Sequence, residues 1–124
     1  MAKVTGLGGI FFKARDPQAL SAWYREHLGL DIGEWGGAMY PEDASRPGYM
    51  LWSPFKEDTT YFAPSDKPFM VNFRVDDLDA LLAQLREAGQ PVEDRVEESE
   101  FGKFGWVMDP EGTRVELWQP PAGD

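Results

Sequence analysis

The chain has 124 residues, which suffices for one globular domain with its own core and is too short for two domains of ordinary size, so we expect a single domain over residues 1–124. Its formal net charge of -10 repels polyanions, which argues against nucleic acids and anionic membrane surfaces as partners. Cysteine is absent and His27 is the single histidine, so disulfides, thiolate nucleophiles, cysteine-ligated zinc and His-rich metal sites are excluded within one chain.

The first predicted elements are a strand and a helix. Short apolar alternation in "GLGGIFFKARDP" predicts a strand. It ends at Asp16 and Pro17, where the aspartate can cap a helix whose first residue is proline. In "PQALSAWYREHLGL" apolar side chains recur every three or four residues and Gly29 follows, so we predict a helix that begins at Pro17 and stops at that glycine. His27 falls on or near the apolar face of this helix, where we expect it at the edge of the core.

The middle of the chain is rich in glycine and aromatic residues. The segments "DIGEWGGAMY", "GYMLWSPF" and "TTYFAP" are separated by clusters of Pro, Gly, Asp and Ser. This pattern is typical of short antiparallel strands joined by turns. We therefore expect about three strands between the first helix and the second half.

The second half repeats the pattern of the first. In "FMVNFRVDDLDALLAQLREAG" apolar residues alternate and then recur at helical spacing until Gly89. Aligning Asp16 with Asp77, a shift of 77 − 16 = 61 residues, matches many positions without a gap, among them Phe12 with Phe73. A period near half the chain indicates two copies of one supersecondary unit.

The predicted fold is α+β. Two βαβββ repeats, at about residues 5–64 and 68–120, are expected to form a curved mixed sheet with the helices on the outside. A sheet that is covered on one face leaves the other face open. Two such units side by side therefore leave a concave ligand-binding face.

The closing segment "GWVMDPEGTRVELWQP" predicts a hairpin. "DPEG" suits a type I turn followed by a glycine in the left-handed region, which makes a three-residue loop of proline, glutamate and glycine. That register pairs Trp106 with Glu116 and Phe104 with Trp118, and it places Glu116 among aromatic rings. A two-residue loop would place Gly105 opposite Glu116 instead, and the sequence leaves both registers open.

Strand alternation assigns the side chains of the concave face. They combine two cations, an amide and one carboxylate with apolar and aromatic groups, a mixture that fits a small-molecule pocket. The candidate ligand-binding residues are Phe11, Lys13, Met70, Asn72, Arg74, Phe104, Trp106, Glu116 and Trp118.

Glu116 is the candidate catalytic residue. A carboxylate placed among rings is suited to general acid or base catalysis. A structural ion pair with Arg74 or Lys13 is compatible with the same sequence. The residues alone leave the two hypotheses side by side.

The doubled strand-helix pattern and the segment "DPEGTRVELWQP" resemble the vicinal-oxygen-chelate superfamily, which includes glyoxalase I, bleomycin-resistance proteins, fosfomycin-resistance proteins and extradiol dioxygenases. In enzymes of that superfamily, metal ligands lie on the first strand of each unit and on the last strand, which by resemblance correspond to Gly9, Met70 and Glu116. A further ligand position corresponds to "DTTYFAP", whose strand interior offers no carboxylate or imidazole. Glycine and methionine do not ligate hard metal ions, so the resemblance implies no metal site, with a divalent metal at Glu116 as the alternative.

Two functional hypotheses follow from the residues and the resemblance. The first is a small-molecule-binding protein without a metal or other cofactor, which holds a small aromatic or amphipathic molecule on the concave face, as bleomycin-resistance proteins do. The alternative is a glyoxalase-like lyase or isomerase that uses Glu116 as acid, base or metal ligand. The resemblance also implies a homodimer. No apolar run reaches the roughly 18 residues of a membrane span, so we expect a cytoplasmic protein.

Overall fold

The computed structural model describes residue 7 and residues 9–122. These residues form two helices and four strands, so the protein is α+β, as the sequence predicts. In chain order the elements are α1 (Pro17–Leu28), β1 (Val71–Arg74), α2 (Leu78–Glu87), β2 (Glu97–Ser99), β3 (Gly102–Met108) and β4 (Arg114–Gln119).

The strands form one mixed, open sheet in the order β1-β4-β3-β2. β4 pairs in parallel with β1 and antiparallel with β3, and β2 forms the edge beyond β3. From residue 71 to residue 119 the chain therefore runs strand, helix and three strands. This is the βαβββ unit predicted for the second half.

Both aspartates that the sequence places at helix starts are N-caps, and Gly29 is the C-cap of α1 as predicted, whereas α2 has Ala88 as its C-cap, one residue before the predicted Gly89. The Asp16 carboxylate accepts a hydrogen bond from the backbone nitrogen of Ala19 at 3.1 Å. Gly29 ends α1 with φ of 72°, a left-handed conformation that glycine adopts without strain. At α2 the Asp77 carboxylate accepts from the backbone nitrogen of Ala80, also at 3.1 Å. Neither helix is long and apolar enough to cross a bilayer.

The core lies between the helices and one face of the sheet. Burial of these aliphatic side chains is the main force that holds the helices on the sheet. Gly105 lets α2 approach β3 closely, because a β-carbon at that position would lie 3.0 Å from a methyl carbon of Leu82. The buried core residues are Leu20, Tyr24, Leu78, Leu82, Leu85, Val107, Val115 and Leu117.

A buried hydrogen bond ties α1 to the closing hairpin. The hydroxyl of Tyr24 donates to the carboxylate of Asp109 at 2.7 Å. The same carboxylate accepts from the backbone nitrogens of Glu111 and Thr113 at 2.8 and 2.9 Å. Burial, the hydrogen bond to Asp109 and the charge of Asp109 all raise the pKa of Tyr24. The helix is therefore fixed against the turn by a neutral phenol.

The closing hairpin has the three-residue loop. Gly112 takes φ of 83°, the left-handed conformation expected after a type I turn. Trp106 pairs with Glu116, and Phe104 pairs with Trp118. The predicted register is confirmed, and the two-residue alternative is wrong.

The first half differs from the prediction. Residues 9–70 contain α1 but no strand, and their β structure is one isolated bridge between Ile32 and Ala38. The side chains of the expected first strand are exposed, Phe11 by 94% and Phe12 by 50%. A strand forms only where a neighbouring strand pairs with its backbone N–H and C=O groups. Alternation in the sequence does not show whether such a neighbour is present. The second unit is present, and the two-repeat architecture is not confirmed.

Candidate functional site

Three side chains form a row across the open face of the sheet. In the register, Asn72 of β1 lies beside Glu116 of β4, and Glu116 lies beside Trp106 of β3. Residues at matching positions on neighbouring strands point to the same face. Val115, the next residue of β4, is in the core under the helices. The row therefore points away from the helices.

Glu116 is the centre of a hydrogen-bond network and is only 7% exposed. Its Oε1 accepts from Nδ2 of Asn72 at 2.8 Å. Its Oε2 accepts from Nε1 of Trp106 at 3.0 Å and from the hydroxyl of Tyr61 at 2.5 Å. All three donors are neutral groups, so they orient the carboxylate without cancelling its charge.

Tyr61 reaches the network from the irregular segment before β1. Burial, the hydrogen bond to Glu116 and the charge of Glu116 raise the pKa of Tyr61. The phenol therefore keeps its proton at neutral pH and donates it to the carboxylate. Its ring stacks on Phe55 with centroids 5.7 Å apart, which holds the hydroxyl in place.

A second cluster surrounds Arg114 beside the network. Its guanidinium, in a residue that is 3% exposed, donates to both carboxylate oxygens of Glu93 at 2.7 and 2.8 Å. It also lies over the ring of Trp106, 4.7 Å from the centroid, and over that of Tyr61, 5.5 Å away. Arg114 thus packs against two of the three donors to Glu116 through cation–π contacts.

Aromatic rings continue the open face beyond Glu116. Phe104 and Trp118 stack with centroids 6.1 Å and planes 9° apart, and Tyr49 packs on Trp118 at 4.9 Å. We call the cavity lined by Tyr49, Asn72, Phe104, Glu116 and Trp118 the cup. It is part of an open cavity of about 3130 Å³, which also extends along the irregular first half and beside α1 and α2.

Most of the sequence-predicted site residues lie at the cup. Trp106 is fully buried beneath it and takes part through its hydrogen bond to Glu116. Lys13 is exposed and is not part of the lining. The predicted residues that line the cavity are Phe11, Met70, Asn72, Arg74, Phe104, Glu116 and Trp118.

The ion pair considered for Glu116 is not formed. Within residues 9–122, neither Arg74 nor Lys13 makes a salt bridge to it. Arg74 lies opposite Trp118 in the register, two residues along the strand from the position beside Glu116. Lys13 belongs to the segment that forms no strand, so nothing directs it to the open face.

Tyr61 and Arg114 are functional-site residues that sequence reasoning missed. Alternation carries a signal for Arg114, because it lies two residues before Glu116 on β4 and so shares its face. "DTTYFAP" lacks carboxylates and imidazoles, so a search for metal ligands passes over its phenol. Tyr61 is 55 positions from Glu116 in the chain, and local periodicity does not show contacts at that separation.

The residues present do not fit the metal centre of the superfamily. In the part of the chain that the structure describes, no three His, Cys, Asp or Glu side chains come together as ligands. The oxygens of Glu116 already accept three protein hydrogen bonds. At the other two positions Gly9 has no side-chain ligand, and the sulfur of Met70 accepts from Arg114 Nη1 at 3.8 Å. One carboxylate without a second oxygen ligand beside it does not make up the ligand set of a hard metal ion.

A family model described as a glyoxalase-like domain matches residues 9–118. The match includes Asn72, Trp106 and Glu116, and it also includes Tyr61. A comparison with curated protein sequences gave no match.

Solved structures of similar shape cover nearly the whole chain. The antibiotic binding protein TnmS3 from Streptomyces sp. CB03234 gives a TM-score of 0.61 at 21% identity, over 98% of this chain and 100% of that one. A glyoxylase/bleomycin resistance protein/dioxygenase domain from Frankia sp. EAN1pec gives 0.56 at 19% identity, over 98% and 96%. A lactoylglutathione lyase from Agrobacterium tumefaciens gives 0.50 at 18% identity, over 93% and 96%. At these identities the likeness is one of fold.

Proposed function

Because the chain belongs to the glyoxalase-like domain family of the vicinal-oxygen-chelate superfamily, we propose that it binds a small aromatic or amphipathic molecule in the cup, without the superfamily's metal centre. The observation that carries this proposal is Glu116, a nearly buried carboxylate held by three neutral donors beside stacked rings. Apolar area with a few fixed polar groups is the usual composition of small-molecule sites.

The likeness to TnmS3 supports the proposal at the level of the fold. That protein is described as an antibiotic binding protein, so a chain of this shape can hold a small molecule. The cup opens into a cavity of about 3130 Å³, which leaves room for a ligand with several fused rings. The parallel rings of Phe104 and Trp118 offer such a ligand flat apolar contacts.

A thermal-shift screen of aromatic and amphipathic compounds tests the binding function. We expect planar aromatic compounds to raise the Tm of the native chain, and we expect Trp118→Ala to reduce that shift. Trp52→Ala is the matched control, because Trp52 is 80% exposed and lies outside the cup lining. An equal loss in both variants, or no shift with any compound, would contradict the proposal.

Calorimetric titration of chelator-free protein with nickel, zinc, manganese and iron tests the second part of the proposal, that the chain has no metal centre. We expect no stoichiometric binding to the native chain. Stoichiometric binding that Glu116→Ala abolishes would refute the metal-independent function. It would favour the alternative, a glyoxalase-like lyase or isomerase that uses Glu116 as a ligand.

We also propose that the chain forms a homodimer in which the first half completes its β structure. The accessible surface is 9489 Å², whereas a compact protein of 14.0 kDa exposes about 6,700 Å². Exposed apolar side chains are concentrated in the first half, including Met39 by 73%, Leu51 by 71% and Trp52 by 80%. Apolar surface of this extent favours association. β1 is an edge of the sheet, and the first half of a second copy is a candidate partner for it.

The charge of the chain bears on its other partners. A net charge of -10 repels nucleic acid and anionic lipid. The partners that we propose are a small molecule and, on the ground of the exposed apolar surface of the first half, a second copy of the chain. A cytoplasmic location, expected from the sequence, is a proposal of the same kind, and fractionation of the producing cells would test it.

A further inference from the structure

The charges beside the cup do not balance. Glu116 is 7% exposed and its protein partners are neutral donors. Arg114, the cation that packs against two of those donors, is matched by both oxygens of Glu93 at 2.7 and 2.8 Å. Arg95 also lies over the ring of Trp106, 4.7 Å from the centroid, and pairs with Glu97 at 3.4 Å. The three carboxylates and two guanidinium groups therefore sum to one negative charge. A carboxylate removed from water without a matching cation is costly, and a ligand can relieve that cost.

The carboxylate of Glu116 also has an acceptor position to spare. An ionised carboxylate offers about four lone-pair directions. Oε2 accepts two hydrogen bonds, from Tyr61 and Trp106, whereas Oε1 accepts one, from Asn72. The spare position is therefore on Oε1, the oxygen on the side of β1, and Glu116 is part of the cup lining.

Asn72 places a second acceptor next to the first. An ionised carboxylate has no proton to give, so the amide turns its nitrogen toward Glu116 and its Oδ1 away from it. No donor from residues 9–122 is bonded to that Oδ1. Asn72 is exposed and lines the cup. Two acceptors thus lie together with no protein donor assigned to their free positions.

Arg74, the cation on the same face of β1, does not pair with Glu116. It lies opposite Trp118, and its side chain lies beside Gly48 and Pro120. It makes no salt bridge with Glu116 among the described residues. The charge of Glu116 is therefore left for a ligand.

We propose that the cup selects aromatic ligands that carry a protonated nitrogen. The N–H groups of the cationic part of the ligand donate to Oε1 of Glu116 and Oδ1 of Asn72, while the flat part of the ligand packs on Phe104 and Trp118. The proposal rests on the proposed small-molecule function and adds the charge of the ligand. A protonated nitrogen supplies the missing positive charge together with several donors, and such charge-assisted hydrogen bonds are the strong ones. The ring faces also attract cations.

Three acridines of different charge test this proposal. At neutral pH 9-aminoacridine is a cation whose charge is shared between the protonated ring nitrogen and the amino group with its two N–H donors, acridine is neutral and acridine-9-carboxylate is an anion. By calorimetry we expect 9-aminoacridine to bind the native chain about tenfold more tightly than acridine, and the carboxylate to bind most weakly. In Glu116→Gln the advantage should fall below about threefold, because the amide keeps the shape and an acceptor but loses the charge.

Glu87→Gln is the matched control, since it removes the same charge from an exposed position on α2 outside the cup. This variant should keep the tenfold advantage of the cation. Equal affinity of the native chain for 9-aminoacridine and acridine, or an equal loss of the advantage in both variants, would overturn the proposal and leave the aromatic cup intact. If none of the three acridines binds the native chain, the cup itself is refuted as an aromatic site and the proposed function fails with it.

Discussion

Two tyrosines join the first half of the chain to the second through single hydrogen bonds. Tyr24 donates to Asp109 across 85 positions, and Tyr61 donates to Glu116 across 55. The two acceptors are 5% and 7% exposed. A buried carboxylate that lost such a donor would keep its desolvation cost without compensation. Each phenol therefore contributes to stability only while it holds its proton.

The stability of the fold should fall at alkaline pH. Burial and the neighbouring carboxylates raise the pKa of Tyr24 and of Tyr61. A tyrosine in the unfolded chain ionises near pH 10, so above that pH the unfolded chain releases protons that the folded chain retains. The stabilisation is complete below about pH 10 and is lost as the pH rises further. Urea unfolding at a series of pH values from 8 upward measures this slope.

Substitutions test whether the two buried tyrosines cause this decline of the unfolding free energy with pH. Tyr24→Phe and Tyr61→Phe should each lower the free energy of unfolding at neutral pH and each flatten its decline above pH 10. Tyr40→Phe is the control, because Tyr40 is 64% exposed and should leave the slope unchanged. A slope that is the same in all three variants would show that the buried tyrosines are not its source.

At the scale of elements, the hairpin of β3 and β4 carries the site. Its turn sets the register, and the register sets which side chains reach the open face. A shift by one residue would exchange the two faces of a strand. Glu116 would then point to the helices and Leu117 to the cup. The left-handed conformation of Gly112 therefore helps to place Glu116 on the open face.

Replacing Gly112 should destabilise the protein through the backbone alone. Its φ is 83°, and a β-carbon there would meet no atom within 4 Å. Gly112→Ala should cost about 1–2 kcal/mol of unfolding free energy, the usual cost of the left-handed conformation for an L-residue. Gly112→Asn is the matched variant and should cost less, because asparagine tolerates that conformation. Urea denaturation of the three proteins measures the difference, and equal losses in both variants would contradict this explanation.

Elements with local signals could be predicted from the sequence, and those that depend on a distant partner could not. Asp16 and Asp77 mark helix starts by chemistry within three residues, and "DPEG" sets the turn by chemistry within four. The register of that turn then correctly placed Glu116 beside Trp106. The contribution of Tyr61 depends on where a loop passes, which no local pattern encodes. The strands expected in residues 9–70 have the right composition, but a ladder depends on a neighbour as well as on composition.

At the scale of the whole molecule, the two halves are built unequally. The second half contains the sheet, the hairpin, Glu116 and two of its three hydrogen-bond donors. The first half contributes α1, Tyr61 and much exposed apolar surface. The negative charge keeps single chains soluble and repels further aggregation. The exposed apolar surface is the observation on which the proposed dimer rests, and the charge opposes association of any kind.

Light scattering with size-exclusion chromatography should therefore show a mass of twice 14.0 kDa. Leu51→Asp, at a side chain that is 71% exposed, should shift the equilibrium toward monomer at low concentration, because a charge replaces apolar area at the contact. Ala83→Asp, on an exposed position of α2, is the control and should leave the mass unchanged. A native chain that is monomeric at every concentration would refute the dimer.

Of the four strands in the described residues, β4 is synthesised last, and it lies between β1 and β3. Until residue 119 has emerged from the ribosome, β1 has no neighbour in the sheet and β3 has only the short β2. A nascent chain therefore cannot assemble this sheet strand by strand, and it leaves the leucines of α2 without their cover on β4 until the final step. A chain truncated before Arg114 lacks Glu116 and the strand that connects β1 to β3. We expect such a product to remain unfolded and to be degraded.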